Sequence, residues 1–295
     1  MGSGSWTTCA YDTYTKATYN VSADSISTAN FATQDFYRSR SLADVLNAKD
    51  KIRECLDIAK EHPNSYPIIL ALDVTGSMGS AATEAGKKLG EIMSSIYAND
   101  AITDPEFCVM AIGDLAYDYA PIQMSQFESD VRIAEQLDKV YFEGGGGGNR
   151  YESYTMAWYM GLHHAKLDCW NRGAKGLIIT LGDEQINPYL PMYGIQNYAG
   201  DTVQADVETD ILYGEVCEKY DVYHISVDDS RSSYSWNNQQ NAVDRSWIKV
   251  IGEDHYRTSN LENLADTIIG IITEHAVGRI NNSFIIDADT EEVSW

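Results

Sequence analysis

The chain has 295 residues, a formal net charge of -23 and a sequence pI of about 4.4. Such an acidic chain disfavours nucleic acid and anionic membranes as partners, because binding phosphate groups requires basic clusters. No run of about 18 apolar residues occurs, so the sequence predicts no membrane-spanning helix.

The first residues and the cysteines bear on the cellular compartment. Residues 1–5 contain neither a basic region nor an apolar core, so they do not resemble a secretory signal. The five cysteines form no CxxC pair and no framework typical of disulfide-rich or zinc-binding domains. From these features we expect a cytoplasmic protein.

The N-terminal part of the chain is predicted to lead into the main domain. Residues 1–41 are rich in Ser, Thr, Tyr and Ala without a sustained period, and we expect an extended arm. Apolar residues at helical spacing between Val45 and Ile58 predict a helix within residues 42–66. The Pro63 segment then ends this helix.

Strands and helices alternate across residues 67–277, which we expect to form the main domain. The apolar run at residues 68–72 predicts a central strand covered on both faces. Further strands are predicted over residues 107–112, 119–123, 175–181, 221–227 and 247–251. Helices are predicted over residues 81–98, 127–139, 152–167, 202–219 and 261–275. Irregular loops are expected at residues 187–200 and 228–247, and a C-terminal tail at residues 278–295.

This order of elements predicts an α/β fold. Alternating strands and helices give a Rossmann-like, mostly parallel central sheet with helices on both faces. The segment after residue 112 resumes as a hairpin, which supplies one antiparallel edge strand.

Polar side chains follow the predicted strands at one edge of this sheet. Asp73 ends the first strand and is followed by Thr75 and Ser77, while Asp183 follows a later strand. The glycine run at residues 144–148 enters a helix on the same edge. Because ligands of open α/β sheets lie beyond the carboxyl ends of the strands, we expect these segments to converge.

The chemistry of these residues predicts a divalent cation site. Carboxylate and hydroxyl oxygens are the ligands preferred by Mg²⁺, Mn²⁺ and Ca²⁺, and we expect Mg²⁺ first. Two carboxylates with neutral hydroxyls leave the ion incompletely neutralised, so it can accept a further carboxylate from a partner. Gly76 and Gly79 allow the loop to turn tightly around such an ion.

The segment Asp73-Val-Thr-Gly-Ser resembles the Asp-x-Ser/Thr-x-Ser sequence of von Willebrand factor A domains, their metal-ion-dependent adhesion site. The resemblance extends from Pro67 to His275, with strand, hairpin, glycine-rich turn and later Asp in the same order. It implies a module that holds a protein partner through a metal and is not an enzyme. Its departures resemble a bacterial or phage-associated branch, for which association with a virion is an alternative location.

Two segments depart from the pattern of this family. Where the family has Thr after the glycine-rich turn, the chain has Asn149, whose side-chain carbonyl can bind a metal; Glu152 is the rival candidate. Where the family reads Thr-Asp-Gly, the chain reads Thr-Leu-Gly-Asp-Glu. We therefore expect Asp183 as the ligand, with Glu184 as the second choice.

Simpler interpretations of the same residues stay open. Thr75 and Ser77 are also suited to capping the following helix. Asp114 and Asp118 flank the hairpin turn, where turn chemistry explains them as well as an outer-shell role near the metal. The glycine run is also compatible with a flexible loop, but it lacks the Gly-Lys-Ser/Thr ending of a phosphate cradle.

Two other functions compete with the binding module. In an assembly subunit, residues 1–40 and 279–295 would reach a neighbouring copy, and residues 283–287 would add a strand to another sheet. In a metal-assisted hydrolase, the ion would activate water. Self-association would follow from these extensions, whereas an AAA+ ATPase as partner follows from family analogy alone.

Overall fold

The computed structural model describes residues 4–58, 60–145, 151–228 and 234–289; the side chains of residues 228, 234–239 and 280–289 are not described. Within these residues the strands are β1 Arg53–Cys55, β2 Tyr66–Asp73, β3 Pro105–Ile112, β4 Ile122–Met124, β5 Tyr151–Glu152, β6 Ala165–Leu167, β7 Gly176–Gly182, β8 Gln185–Ile186, β9 Tyr189–Leu190, β10 Val207–Glu208, β11 Tyr220–Asp228 and β12 Tyr256–Asn260. The helices are α1 Thr8–Tyr19, α2 Ala23–Ile26, α3 Thr33–Phe36, α4 Gly79–Tyr97, α5 Arg132–Leu137, α6 Tyr154–His163, α7 Met192–Gly194, α8 Thr209–Cys217, α9 Tyr234–Ile251 and α10 Leu264–Asp289.

Six strands form the central sheet, in the order β12-β11-β7-β2-β3-β4. Strand β4 is antiparallel to β3, and all the other neighbouring pairs are parallel. The predicted mostly parallel sheet with one antiparallel edge strand is therefore confirmed. Leu72 of β2 pairs with Leu181 of β7, so these two strands end side by side at the carboxyl edge.

Alternate residues of β2 enter two separate cores, because successive side chains of a strand point to opposite faces. Ile68 and Leu72 belong to the core shared with α4 and α10. Ile69 and Ala71 belong to the core that holds the buried residues of α6 and α8. Helices thus cover both faces of the sheet, as predicted.

The N-terminal segment, residues 4–40, packs on its own domain and is not the predicted extended arm. Tyr11 of α1 and Phe36 of α3 are 3% and 1% exposed. Both rings lie over glycines of α4: a Cβ at Gly90 would lie 2.2 Å from Tyr11 Cε1, and one at Gly86 would lie 2.7 Å from Phe36 Cγ. The two glycines are four residues apart, so they share one face of the helix.

The helix predicted within residues 42–66 is wrong. This segment forms turns and the short strand β1, which pairs in parallel with β6. Asp50 has a φ of 58°, a left-handed conformation that interrupts a right-handed helix. Val45 and Ile52 are 41% and 54% exposed, so the apolar spacing does not mark a buried face.

The predicted loop is wrong from residue 234 onward, and the short strand predicted at residues 247–251 is also wrong, because α9 spans residues 234–251. Residues 229–233 of the predicted loop lie outside the described residues. Val243, Trp247 and Ile251 are four residues apart and all buried, which gives α9 one apolar face. The edge strand β12 follows instead, at residues 256–260.

The last helix extends beyond its prediction. Helix α10 continues to Asp289, so the residues expected to form a tail or an added strand, up to that point, are helical.

Residues 187–200 contain β9, α7 and a π-helical turn where an irregular loop was expected. Across the described residues, we find no helix with the length and apolar character needed to cross a membrane.

Candidate metal site

Asp73 lies at the carboxyl end of β2 and is completely buried. Its Oδ1 atom accepts hydrogen bonds from the backbone N–H of Thr75 at 2.9 Å and from the Thr75 hydroxyl at 2.6 Å. A short 3₁₀ turn, Gly76–Met78, then leads directly into α4. The carboxylate is thus held in one orientation by the loop that follows it.

A second carboxylate joins the same loop from β7. The hydroxyl of Ser77 donates to Oδ1 of Asp183 at 3.0 Å, 106 residues away in sequence. Each hydroxyl therefore contacts one carboxylate, Thr75 with Asp73 and Ser77 with Asp183. A hydroxyl that donates its proton keeps lone pairs on oxygen, so it can still serve as a metal ligand.

The glycine run approaches this loop through its backbone. The N–H of Gly76 donates to the carbonyl of Gly145 at 2.5 Å, and the N–H of Gly144 donates to the carbonyl of Val74 at 3.2 Å. A Cβ at Gly76 would lie 3.0 Å from the carbonyl oxygens of both glycines. This close backbone contact explains the glycine at position 76. Asn149 and residues 146–148 lie outside the described residues.

Tyr154 contacts Asp73 and was not identified from the sequence. Its hydroxyl donates to Asp73 Oδ2 at 2.8 Å, while its ring is completely buried at the start of α6. Space for the hydroxyl depends on Gly182, since a Cβ there would lie 1.9 Å from the Tyr154 oxygen. In the sequence, the only sign of this contact is Gly182, a residue without a side chain directly before Asp183, which leaves room for a large side chain such as Tyr154.

Glu152 lies beside the segment that follows Asp183. Strand β5 pairs in parallel with β8, which places Glu152 opposite Ile186. Glu152 is 5% exposed, and its Oε2 atom has no hydrogen-bond partner among the described residues. The backbone N–H of Glu184 lies 3.4 Å from the Tyr154 hydroxyl, so this second-choice ligand also borders the site.

Asp114 takes part in the turn after β3. Its Oδ1 atom accepts from the backbone N–H of Ala116 at 2.8 Å, and its own N–H donates to Asp118 at 2.6 Å. These contacts are the turn chemistry expected of Asp at such positions. Their geometry accounts for Asp114 and Asp118 without a metal.

Burial raises the pKa of two carboxyl groups in this region, Asp73 and Glu152. Burial, followed by the negative charge of Asp183, raises the pKa of Asp73 to about 7, although hydrogen bonds from Thr75 and Tyr154 oppose the shift. Burial also raises the pKa of Glu152 to about 10, with further contributions from Asp73 and other nearby carboxylates. A cation bound among these groups would relieve the repulsion and favour their ionised forms.

The donor set decides what kind of ion fits. Among the described residues, no three His, Cys, Asp or Glu side chains are grouped so that they could hold a metal. An ion here would therefore depend on the hydroxyls of Thr75 and Ser77 together with Asp73 and Asp183. Such all-oxygen sets suit hard divalent cations.

A cavity of about 290 Å³ adjoins Glu152. Segments from the turn after β3, from β5 and from the region around β9 form its walls. The lining residues are Asp114, Leu115, Ala116, Tyr151, Glu152, Ser153, Asn187, Pro188, Tyr189, Pro191 and Tyr193.

Comparison with known proteins finds similarity only at the level of solved structures. No protein-family model and no curated protein matches the chain. The pilus adhesin SpaC from Lactobacillus rhamnosus GG is 14% identical with a TM-score of 0.44, over 79% of this chain and 32% of SpaC. The chain thus spans about a third of that adhesin.

Two further structures are similar at the same level. The vWF domain of the type V pili tip protein Mfa5 from Porphyromonas gingivalis is 12% identical with a TM-score of 0.44, over 72% of this chain and 96% of that domain. Proximal thread matrix protein 1 from the mussel byssus, with a zinc-occupied MIDAS motif, is 12% identical with a TM-score of 0.45, over 72% and 46% of the two chains.

Proposed function

We propose that this protein is a metal-dependent protein-binding module of the von Willebrand factor A type. Asp73, Thr75, Ser77 and Asp183 would hold a divalent cation, with Asn149 as a further ligand. An Asp or Glu side chain of a protein partner would complete the shell of the ion. Binding, and not turnover, would be the role of the site.

The observation that carries this proposal is the pairing of two hydroxyls with two carboxylates across two strand ends. Thr75 contacts Asp73 at 2.6 Å and Ser77 contacts Asp183 at 3.0 Å. Helix capping would explain hydroxyls beside backbone amides, but among the described residues neither the Thr75 nor the Ser77 side chain makes a cap hydrogen bond to the helix that follows. A buried Asp73 beside a second carboxylate is unfavourable unless positive charge is nearby.

The number of ligands in the site supports a carboxylate as the partner's ligand. Two carboxylates and two hydroxyls, even with Asn149 added, do not fill a shell of six or more oxygens. A partner's carboxylate can therefore add a ligand where water would otherwise bind. Mg²⁺ is the first choice of ion, and Mn²⁺ and Ca²⁺ are alternatives. The candidate partners are a second copy of the chain and, by family analogy, an AAA+ ATPase.

The dependence of the melting temperature on metal tests whether the protein binds a divalent ion at this site. The melting temperature of the protein is measured in EDTA and in increasing Mg²⁺, Mn²⁺ or Ca²⁺, because a ligand that binds only the folded state stabilises it by mass action. We expect a rise with metal that Asp73→Asn and Asp183→Asn abolish. Asp100→Asn, on an exposed turn, is the matched control and should keep the full rise. A full rise in both site variants would refute the assignment.

A small compound that carries a carboxylate tests whether the bound ion has a coordination position open to a partner. With Mn²⁺ bound, the relaxation of water protons reports the waters on the ion. N-acetyl-aspartate methylamide should displace water and reduce this relaxation, whereas the matched asparagine compound should not. An equal response to both compounds would contradict capture of a partner carboxylate.

A further inference from the structure

The cavity beside Glu152 has walls that differ from those of the loop at residues 73–78. Three tyrosines, Tyr151, Tyr189 and Tyr193, are 38%, 45% and 44% exposed, and two prolines, Pro188 and Pro191, lie between them on the chain. The volume of about 290 Å³ is near the lower end of the roughly 300–1,000 Å³ of small-molecule pockets. It therefore suits one long side chain better than a cofactor.

Two residues that line this cavity each have a buried acceptor oxygen. Glu152 Oε2 and Asn187 Oδ1 have no hydrogen-bond partner among the described residues, although the two residues are 5% and 9% exposed. Buried acceptors are normally paired, so a donor is expected to approach both. Both residues line the same cavity, which is where that donor would enter.

The orientation of the Asn187 amide is fixed by its other contacts. Its Nδ2 atom lies 2.6 Å from the carbonyl oxygen of Tyr189 and 2.5 Å from the hydroxyl of Thr155. A carbonyl oxygen can only accept, so the nitrogen must face Tyr189 and the oxygen must be the atom without a partner. The backbone carbonyl of Asn187 also accepts from Thr209 at 2.6 Å, which holds the residue in place.

A carboxyl group, whose ionised form a neighbouring cation would favour, an amide oxygen and aromatic walls together suit a planar cation. A guanidinium group presents five N–H donors in a rigid fork and stacks on aromatic faces. An ammonium group also carries charge, but it is compact and does not stack. A neutral apolar group would leave both oxygens without donors.

We propose that this cavity binds an arginine side chain of the protein partner, beside the acidic side chain that reaches the metal. The inference rests on the proposed partner-binding function, and it deepens that function by naming a second recognition element. Glu152 and Asn187 accept hydrogen bonds from the guanidinium group, and Tyr189 and Tyr193 flank it. The partner's surface thus carries an acidic and a basic residue close together.

Small arginine analogues test this proposal on the full chain. The probe is N-acetyl-arginine methylamide, followed by amide NMR in the presence of EDTA so that the result does not depend on the metal. We expect saturable shifts at cavity residues such as Leu115 and Ser153. The citrulline compound has the same shape without the charge and should bind at least about tenfold more weakly, as should the lysine compound. Equal binding of the citrulline compound would overturn the proposal.

Paired variants locate the binding. Glu152→Gln and Tyr189→Leu should each weaken the arginine probe by about tenfold or more. Their matched controls, Glu135→Gln on the exposed face of α5 and Tyr117→Leu at 64% exposure, should leave it unchanged. Unchanged binding in both cavity variants would refute the site.

The Mg²⁺-dependent rise in melting temperature separates this proposal from the proposed function. Tyr189→Leu should keep the full Mg²⁺-dependent rise in melting temperature, because Tyr189 is not among the proposed ligands. If the natural chain shows no such rise but binds the arginine probe in EDTA, the metal function fails and the cavity assignment stands. If Glu152→Gln loses the rise, Glu152 is a metal ligand and its assignment to the arginine site is wrong.

Discussion

Tyr154 and Asp73 are joined by a hydrogen bond of 2.8 Å between the phenol hydroxyl and Oδ2, so both oxygens of this buried carboxylate are in contact with hydroxyl groups. Tyr154 belongs to α6, and Thr75 belongs to the loop after β2. The orientation of Asp73 is therefore set from two different elements. A metal that binds Asp73 would find the carboxylate already positioned, since outer contacts of this kind orient ligands.

Removing the Tyr154 hydroxyl is expected to weaken metal binding. Tyr154→Phe leaves the ring in place but releases Asp73 Oδ2, and loss of such an outer contact typically lowers metal affinity by about 10–100-fold. Calorimetric titration with Mn²⁺ measures the change. Tyr220→Phe is the matched control, because the buried Tyr220 hydroxyl donates to the carbonyl of Gly161 and not to the site. Equal affinities in the two variants would show that Tyr154 has no part in positioning Asp73.

The second prediction concerns the glycine that makes room for Tyr154. In Gly182→Ala the new Cβ would meet the Tyr154 oxygen at 1.9 Å, so the ring must shift. We expect a loss of about 1–3 kcal/mol in the free energy of unfolding, as for other overpacked cores. Urea unfolding measures it. Gly214→Ala, in α8, meets nothing within 4 Å and should be neutral or stabilising. Similar stabilities of the two variants would contradict the tight packing at Gly182.

The third prediction tests the packing of the N-terminal segment. Phe36→Ala removes a ring that is 1% exposed, and truncation of buried aromatics costs about 3–5 kcal/mol. Tyr117→Ala, at 64% exposure, should change stability by no more than about 0.5 kcal/mol. Chemical unfolding of both variants at low protein concentration separates them. A Phe36 variant as stable as the natural chain would mean that the segment does not contribute to this core.

The fourth prediction is a pH dependence of metal stabilisation. The pKa of Asp73 is about 7 in the folded chain without metal, well above the roughly 3.9 of an unfolded Asp. The folded state therefore favours the protonated form, so this stabilising contribution is fully present below pH 4 and is lost as the pH rises through about 7. A metal requires the ionised form, so its stabilising effect should grow over the same range.

Melting temperatures with and without Mg²⁺, taken at intervals from pH 5 to pH 8, measure this dependence. We expect the difference between the two curves to widen as the pH rises. Asp73→Asn removes the titrating group and should give a small difference that does not change with pH. A metal effect that shrinks from pH 5 to pH 8 would contradict the role of Asp73 as an ionised ligand.

The parts of the fold and site that the sequence predicts are those with local signals. The apolar run of β2 is continuous, which is typical of a strand buried on both faces. Asp73 and Thr75 are two residues apart, so their hydrogen bond follows from the loop alone. The position of Asp183 near Asp73 could be predicted from the rule that parallel strands end at one edge of the sheet.

The parts that the sequence does not reveal depend on contacts between distant residues. Tyr154 is 81 residues from Asp73, and its role becomes visible only with Gly182 in place. Helix α9 carries its apolar residues on one narrow face, Val243, Trp247 and Ile251, within a largely polar segment that resembles a loop. Between Val45 and Ile58 the opposite error occurs, because apolar spacing there does not correspond to a common buried face.

The glycine face of α4 has a consequence for where the folded unit begins. Thr33 donates to the carbonyl of Gly79, next to the loop that follows β2, and Phe36 and Tyr11 cover Gly86 and Gly90 further along the same helix. A shortened chain starting at residue 67 would leave two ring-sized hollows along α4, open to water and lined by apolar neighbours. Such a fragment would tend to aggregate, so the smallest soluble form of this protein should retain the residues from Trp6 onward.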